Sequence, residues 1–109
     1  MLVTLAGELD LAVAGEFEAA LSEESLHAAP SVVVDLTGLE FMDSSGLRVL
    51  LLASERFQST ALRWAVVVPE QSVVRRLLSI AEVADRLPLH ESREQAIASV
   101  SEPDAAETR

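Results

Sequence analysis

Three consecutive valines, in Ser31-Val32-Val33-Val34-Asp35, leave this chain few ways to fold. A β-branched run without polar alternation is a strand that needs cover on both faces, as in a parallel sheet flanked by helices. The segment before it has the other period. Val13, Phe17 and Leu21 stand four apart, with Glu16, Glu18, Glu23 and Glu24 around the turn. That is one apolar stripe on an amphipathic helix, predicted from an Asp10 N-cap to about Leu26. Val3 to Ala6 reads as a short strand ending at Gly7, and Pro30 breaks the chain ahead of the valines.

Downstream, Thr37-Gly38 predicts a turn, and Phe41-Met42 returns the chain to the core. A second helix is expected from near Ser45, through Leu50, Leu51 and Phe57, to about Gln58. Leu62 to Val68 reads as another buried strand and carries Trp64, the one tryptophan. Pro69 stands where a helix often starts, and Val73, Val74, Leu77 and Leu78 pair at i+4 behind it. Arg86 to His90 predicts a short strand, placed at a sheet edge because Pro88 cannot donate to a ladder. Ser92 and Gln95 have capping-box spacing ahead of a last helix with Ala96, Ile97 and Val100 on its apolar side. Strands alternating with helices predict an α/β domain over residues 1–100: a mixed, mostly parallel sheet of about four strands, covered mainly on one face by about four helices. Residues 101–109 are polar, acidic and aperiodic and read as a flexible tail.

Half of the 109 residues are hydrophobic, enough for one core. Cysteine is absent. That excludes a disulfide framework, thiolate zinc sites and thiol catalysis, and suits a reducing compartment. No apolar run nears the roughly 20 residues that span a bilayer, and Met1 to Ala6 lacks the basic start and apolar length of a signal peptide. A cytoplasmic location is expected, with no cofactor. Eighteen acidic against eight basic side chains give a formal net charge of -10. Such a field repels phosphate backbones and anionic membrane surfaces, so neither nucleic acid nor membrane is expected as a direct partner. It suits docking to a basic protein, and equally plain solubility.

The most informative stretch is Phe41-Met42-Asp43-Ser44-Ser45-Gly46-Leu47. A serine at the mouth of a helix offers a hydroxyl beside free backbone amides, which stabilise an added anion. A phosphoryl group there brings about -1.5 to -2 charges and three acceptor oxygens. The fold is kept, while a docking surface built for a neutral hydroxyl is spoiled. Asp43, Ser44 and Ser45 are also ordinary capping residues, and Asp10 is another. Capping chemistry alone does not separate Ser44 from Ser45.

This stretch, with Gly7-Glu8-Leu9-Asp10 about thirty residues upstream and Val34-Asp35-Leu36 just before it, closely resembles the signature of the STAS domain, the fold of bacterial anti-sigma factor antagonists. The resemblance runs from about Leu2 to Val100. It implies a STAS fold and a binding protein rather than an enzyme. The unphosphorylated family member binds a partner that is both anti-sigma factor and serine kinase, which frees a sigma factor. Phosphorylation of the serine directly after the aspartate switches that binding off, and a phosphoserine phosphatase is implied as the reset. Carried onto this chain, Ser44 is the acceptor, with Ser45 as the alternative. Asp43 orients the loop or contacts the kinase, Gly46 permits close approach, and Asp10 lies near the partner surface.

Two features depart from the family pattern. Arg48 stands where many members have a small residue, often glycine. Helical spacing puts Ser44, Arg48, Leu52 and Glu55 on one face, expected to dock the partner with Leu52 as an apolar anchor. Arg48 would set partner choice or pair with a phosphate on Ser44. The competing expectation is a helix covered on several sides, with Leu52 buried by a neighbour. The resemblance also implies one more strand ahead of Leu2, so the sheet is expected to lack the usual first strand. Leu2 to Ala6 would then be a bare edge open to self-association. Two other classes fit less well. A hydrolase nucleophile elbow needs glycine two residues before the serine, where Met42 stands, and its candidate bases, His27 and His90, read as surface residues. A STAS-like regulatory or assembly subunit of a lipid-transport or stress-sensing complex is the second alternative, and the kinase-type neighbourhood of the gene would decide against it.

Overall fold

The computed structural model describes residues 1–22, 31–60 and 62–101. Among these residues four strands, β1 (Leu2–Leu9), β2 (Ser31–Met42), β3 (Arg63–Val67) and β4 (Leu89–His90), alternate with four α-helices, α1 (Leu11–Ala20), α2 (Ser44–Gln58), α3 (Val73–Ile80) and α4 (Arg93–Ser101). The strand order is β1-β2-β3-β4 and each neighbouring pair is parallel. The expected mixed, mostly parallel sheet is thus parallel throughout.

The valine run is covered on both faces. Val32 and Val34 point with Leu36, Val66 and Val68 into one core layer, against Phe17 of α1, Leu50 and Phe57 of α2, and Val74 and Leu78 of α3. Val33 points the other way, with Ala65 and Val67, onto Ala96 and Val100 of α4. Three helices therefore share one face, and α4 covers the other. Trp64 is half-buried and meets Phe57 edge to face, with ring centroids 5.1 Å apart.

Polar contacts pin α4 at both ends. Arg93 donates from Nε (2.9 Å) and from its terminal nitrogen (2.7 Å) to one carboxylate oxygen of Asp35. The Thr37 amide donates to the other oxygen at 2.9 Å. At the far end Arg63 donates to the Val100 carbonyl at 3.3 Å. Asp35 is only 5% exposed. Burial by itself pushes its carboxyl up; hydrogen bonds from the Thr37 hydroxyl and amide, and the Arg93 guanidinium, outweigh that and hold it below the usual aspartate range.

Several boundaries differ from expectation. No turn forms at Thr37-Gly38: β2 continues to Met42 and absorbs extra residues as bulges, with Thr4 opposite Asp35 but Ala6 opposite Gly38, then Gly7 opposite Leu39 but Glu8 opposite Phe41. A Cβ on Gly38 would lie 3.1 Å from that of Ala6, so this glycine serves strand approach. α1 ends at Ala20, short of Leu26, with Leu21 at its C-cap. The Arg56 guanidinium donates to the Leu21 carbonyl and so satisfies the helix end. Glu23, Glu24, His27 and Pro30 lie outside the described residues, as do residues 102–109 of the expected tail. Ser101, the first residue assigned to that tail, closes α4 instead.

α3 begins at Val73, where Ser72 Oγ accepts from the Arg75 amide at 3.1 Å. Pro69 makes the preceding turn, its carbonyl accepting from the Ser72 hydroxyl at 2.8 Å. The strand expected at Arg86 to His90 is shortened to Leu89–His90 and lies at the sheet edge. Ser92 accepts from the Gln95 amide at 3.2 Å, but the Gln95 side chain reaches back to the Glu91 amide, also 3.2 Å, instead of completing a box with Ser92. No helix among the described residues is long and apolar enough to cross a membrane.

Candidate functional site at the start of α2

β1 and β2 are parallel neighbours in register at Leu9 and Met42, so both strands deliver the chain to the same rim of the sheet. An aspartate follows each strand and caps the helix beyond it. Asp10 accepts from the amides of Ala12 (3.1 Å) and Val13 (3.3 Å). Asp43 accepts from those of Ser45 (2.8 Å) and Gly46 (3.4 Å). The two turns are tied together, because the Asp43 amide donates to the Leu9 carbonyl at 3.1 Å. The caps thus hold the rim in a fixed shape.

Gly46 seats α2 against that rim. A Cβ there would fall 2.6 and 2.7 Å from Leu9 Cγ and Cδ2 and 2.9 Å from Met42 Cγ. The close approach expected of Gly46 is therefore made by the core. Gly46 is buried, so it is not itself part of the exposed surface here.

Ser44 opens α2 and is exposed, and its hydroxyl makes no hydrogen bond among the described residues. Ser45 and Asp43 are half-buried. Arg48, Leu52 and Glu55 follow Ser44 along α2 and are exposed as well, so Leu52, at 43% exposure, is not buried by a neighbour. Ser44, Ser45, Arg48 and Leu52 line a groove of about 400 Å³ whose other wall is α1, with Leu11 and Glu18. On its other side Ser44, with Asp43, borders a groove of about 360 Å³ between the end of β2 and α3. Ser44 is the ridge between the two.

The structure therefore gathers Asp43, Ser44, Ser45, Arg48 and Leu52 at one place, with Asp10 on the adjoining turn. Sequence reasoning missed Leu11, 76% exposed, and Ile80, 71% exposed, and it sent Phe41 to the core with Met42, whereas Met42 is buried and Phe41 is 45% exposed. The available signal was weak, since Ile80 simply falls off the stripe that buries Val74 and Leu78. His90 is in β4, two strands away from β2 in the sheet order, and His27 lies outside the described residues. Among the described residues no group of His, Asp or Glu side chains could hold a metal ion.

The STAS domain model matches residues 1–96, and the chain belongs to that family. The anti-sigma-F factor antagonist RsfB of Mycobacterium tuberculosis, from two strains, is 34% identical over 74 residues. That match covers 68% of this chain and 59% of the relative, so the chain spans less than two thirds of the length of these curated relatives. The crystal structure of an anti-sigma factor antagonist from Mycobacterium paratuberculosis superposes with a TM-score of 0.78 at 26% identity, covering 91% of this chain and 83% of that one. SpoIIAA, an anti-sigma factor antagonist solved in its unphosphorylated form, shares the fold with a TM-score of 0.65 at 23% identity, over 86% and 81% of the two chains.

Proposed function

We propose that this chain is an anti-sigma factor antagonist whose binding is switched by phosphate on Ser44. The observation that carries the reading is the position of Ser44: exposed, without a side-chain hydrogen bond among the described residues, directly after the N-cap Asp43, on a ridge between two grooves. The names of its relatives, RsfB above all, support the same role.

In the unmodified state the hydroxyl is neutral, and an anti-sigma factor that is also a serine kinase docks over the ridge and gives up its sigma factor. The kinase transfers the γ-phosphoryl group of its ATP to Ser44 Oγ: the bond between the γ-phosphorus and the β–γ bridging oxygen breaks, ADP leaves, and the hydroxyl proton goes to the kinase or solvent. The added charge sits beside the Asp43 carboxylate, where like-charge repulsion and desolvation oppose docking. Asp43 itself is held by the amides of Ser45 and Gly46, so its role is to fix the loop. Half-burial of Ser45, against the exposure of Ser44, favours Ser44 as acceptor. A phosphoserine phosphatase restores the hydroxyl, and all of these events are cytoplasmic.

The test is to incubate the chain with the serine kinase of its own genome and ATP, then map the phosphate by mass spectrometry. Modification of Ser44 is expected, and it should vanish in Ser44→Ala and persist in Ser45→Ala. No modification at either serine would remove the switch.

A further inference from the structure

Arg48 is a cation without a counterpart. It stands exposed on α2 four residues after Ser44, and among the described residues it makes no hydrogen bond and no ion pair. Other arginines are committed to the fold: Arg56 to the Leu21 carbonyl, Arg63 to that of Val100, Arg75 to that of Val68 at 2.6 Å, and Arg93 to Asp35. Arg76 and Arg86 are exposed like Arg48, but neither lines either groove that Ser44 borders. Arg48 lines the groove between α1 and α2 together with Ser44. Glu18 lines it too, yet no ion pair joins Glu18 to Arg48.

Side chains on a helix lean towards its N-terminus, so Arg48 reaches back over the first turn of α2 towards Ser44. An anion four residues ahead of a cation is the favourable order on a helix, because the anion also meets the free amides of the first turn. Ser44 and Arg48 have that order only once phosphate is attached; the neutral hydroxyl gives Arg48 no anion. A guanidinium presents a planar fork of donors that fits phosphate oxygens two at a time. The neighbouring carboxylate does not compete, since Asp43 accepts from the amides of Ser45 and Gly46.

We propose that Arg48 is the intramolecular receptor for the phosphate on Ser44; this rests on the antagonist reading above. Modification then alters α2 in two ways. It adds an anion at the helix mouth, and it draws in the one cation among the residues lining the α1–α2 groove. A single guanidinium offsets only part of the roughly two charges that phosphate brings, so the anion still opposes docking. A partner that reads Arg48 in the unmodified chain loses that contact when Ser44 is phosphorylated.

The experiment places phosphoserine at residue 44 of the full chain by chemical ligation, which needs no kinase. Phosphorus NMR then follows the second ionisation of the phosphate in the wild-type sequence, in Arg48→Gln and Arg48→Lys, and in Arg86→Gln as a control. Arg86 lies well along α2, where its carbonyl accepts from Ser54. A cation favours the dianion, so the titration midpoint should be higher in Arg48→Gln than in wild type by about 0.2 to 0.7 on the pH scale. Arg48→Lys should fall between the two, because a point charge replaces a fork. Arg86→Gln should stay within about 0.1 of wild type, and added salt should narrow the Arg48→Gln gap. The Arg48 Nε–H resonance should also move when the phosphate is present. Equal midpoints in wild type and Arg48→Gln overturn the pairing and leave the antagonist reading standing. An equal rise in Arg86→Gln makes the effect one of general charge and overturns it too. Absence of kinase modification at Ser44 removes the antagonist reading, whatever the midpoints show.

Discussion

Gly46 shows how little separates a seated helix from a displaced one. Its missing Cβ would overlap Leu9 and Met42 at 2.6 to 2.9 Å, and Leu9 is fully buried. Gly46→Ala gains helix propensity of up to about 1 kcal/mol but overpacks the core, which typically costs about 1–3 kcal/mol. The urea midpoint should therefore fall, and an unchanged or raised midpoint would show that Leu9 can move aside. The family resemblance implied a close approach at Gly46, and the approach is made by Leu9, far upstream in the chain, and by Met42. A spacing pattern carries no such information. Asp10, by contrast, was legible as an N-cap, since a cap depends on residues two and three places along, whereas the sequence left Asp43, Ser44 and Ser45 open as the cap of α2 and the structure gives it to Asp43. Asp43→Ala should cost about 1 kcal/mol of stability and slow phosphorylation of Ser44 by loosening its loop, measured as the initial rate with the cognate kinase.

At the level of elements, α4 is the part least readable in advance. Its apolar side was evident from Ala96 and Val100, yet nothing in a helical period says which face of a sheet receives it. The deciding contact is between Asp35 and Arg93, 58 residues apart. Arg93→Ala should destabilise the domain by about 1–3 kcal/mol at pH 7, nearer the lower figure because the Arg93 side chain is 48% exposed and solvent screens the pair. The pH dependence has a definite sign. Asp35 stays ionised in the folded state below the ordinary aspartate pKa of about 4. Its contribution is therefore complete above about pH 4 and is lost as pH falls through the lower, folded value. The stability gap between wild type and Arg93→Ala should be constant near neutrality and close in acid. A gap that widened on acidification would contradict the assignment. Thr37-Gly38 is the instructive miss. Threonine and glycine suggest a turn, but the parallel partner β1 holds β2 extended, and the surplus residues become bulges.

For the whole molecule, the valine run and the alternation of periods were enough to predict an α/β sheet of four strands with four helices. What they could not supply was the exposed apolar relief around Ser44, because exposure depends on what the rest of the fold leaves uncovered. Leu52→Ala and Arg48→Ala, on the exposed face of α2, should leave stability within about 0.5 kcal/mol while weakening kinase binding; unchanged affinity would remove that face from the interface. The central claim is that phosphate changes the surface and spares the fold. A negative group in the first turn of α2 should leave stability unchanged or raise it by about 0.3–1 kcal/mol. The most direct measurement is the affinity of the Ser44-phosphorylated chain for its anti-sigma factor, beside that of the unmodified chain, with both unfolded in urea as a check. The account predicts matching or slightly improved urea midpoints and binding weakened at least about a hundredfold, some 2.7 kcal/mol. Equal affinity of the two forms would contradict it.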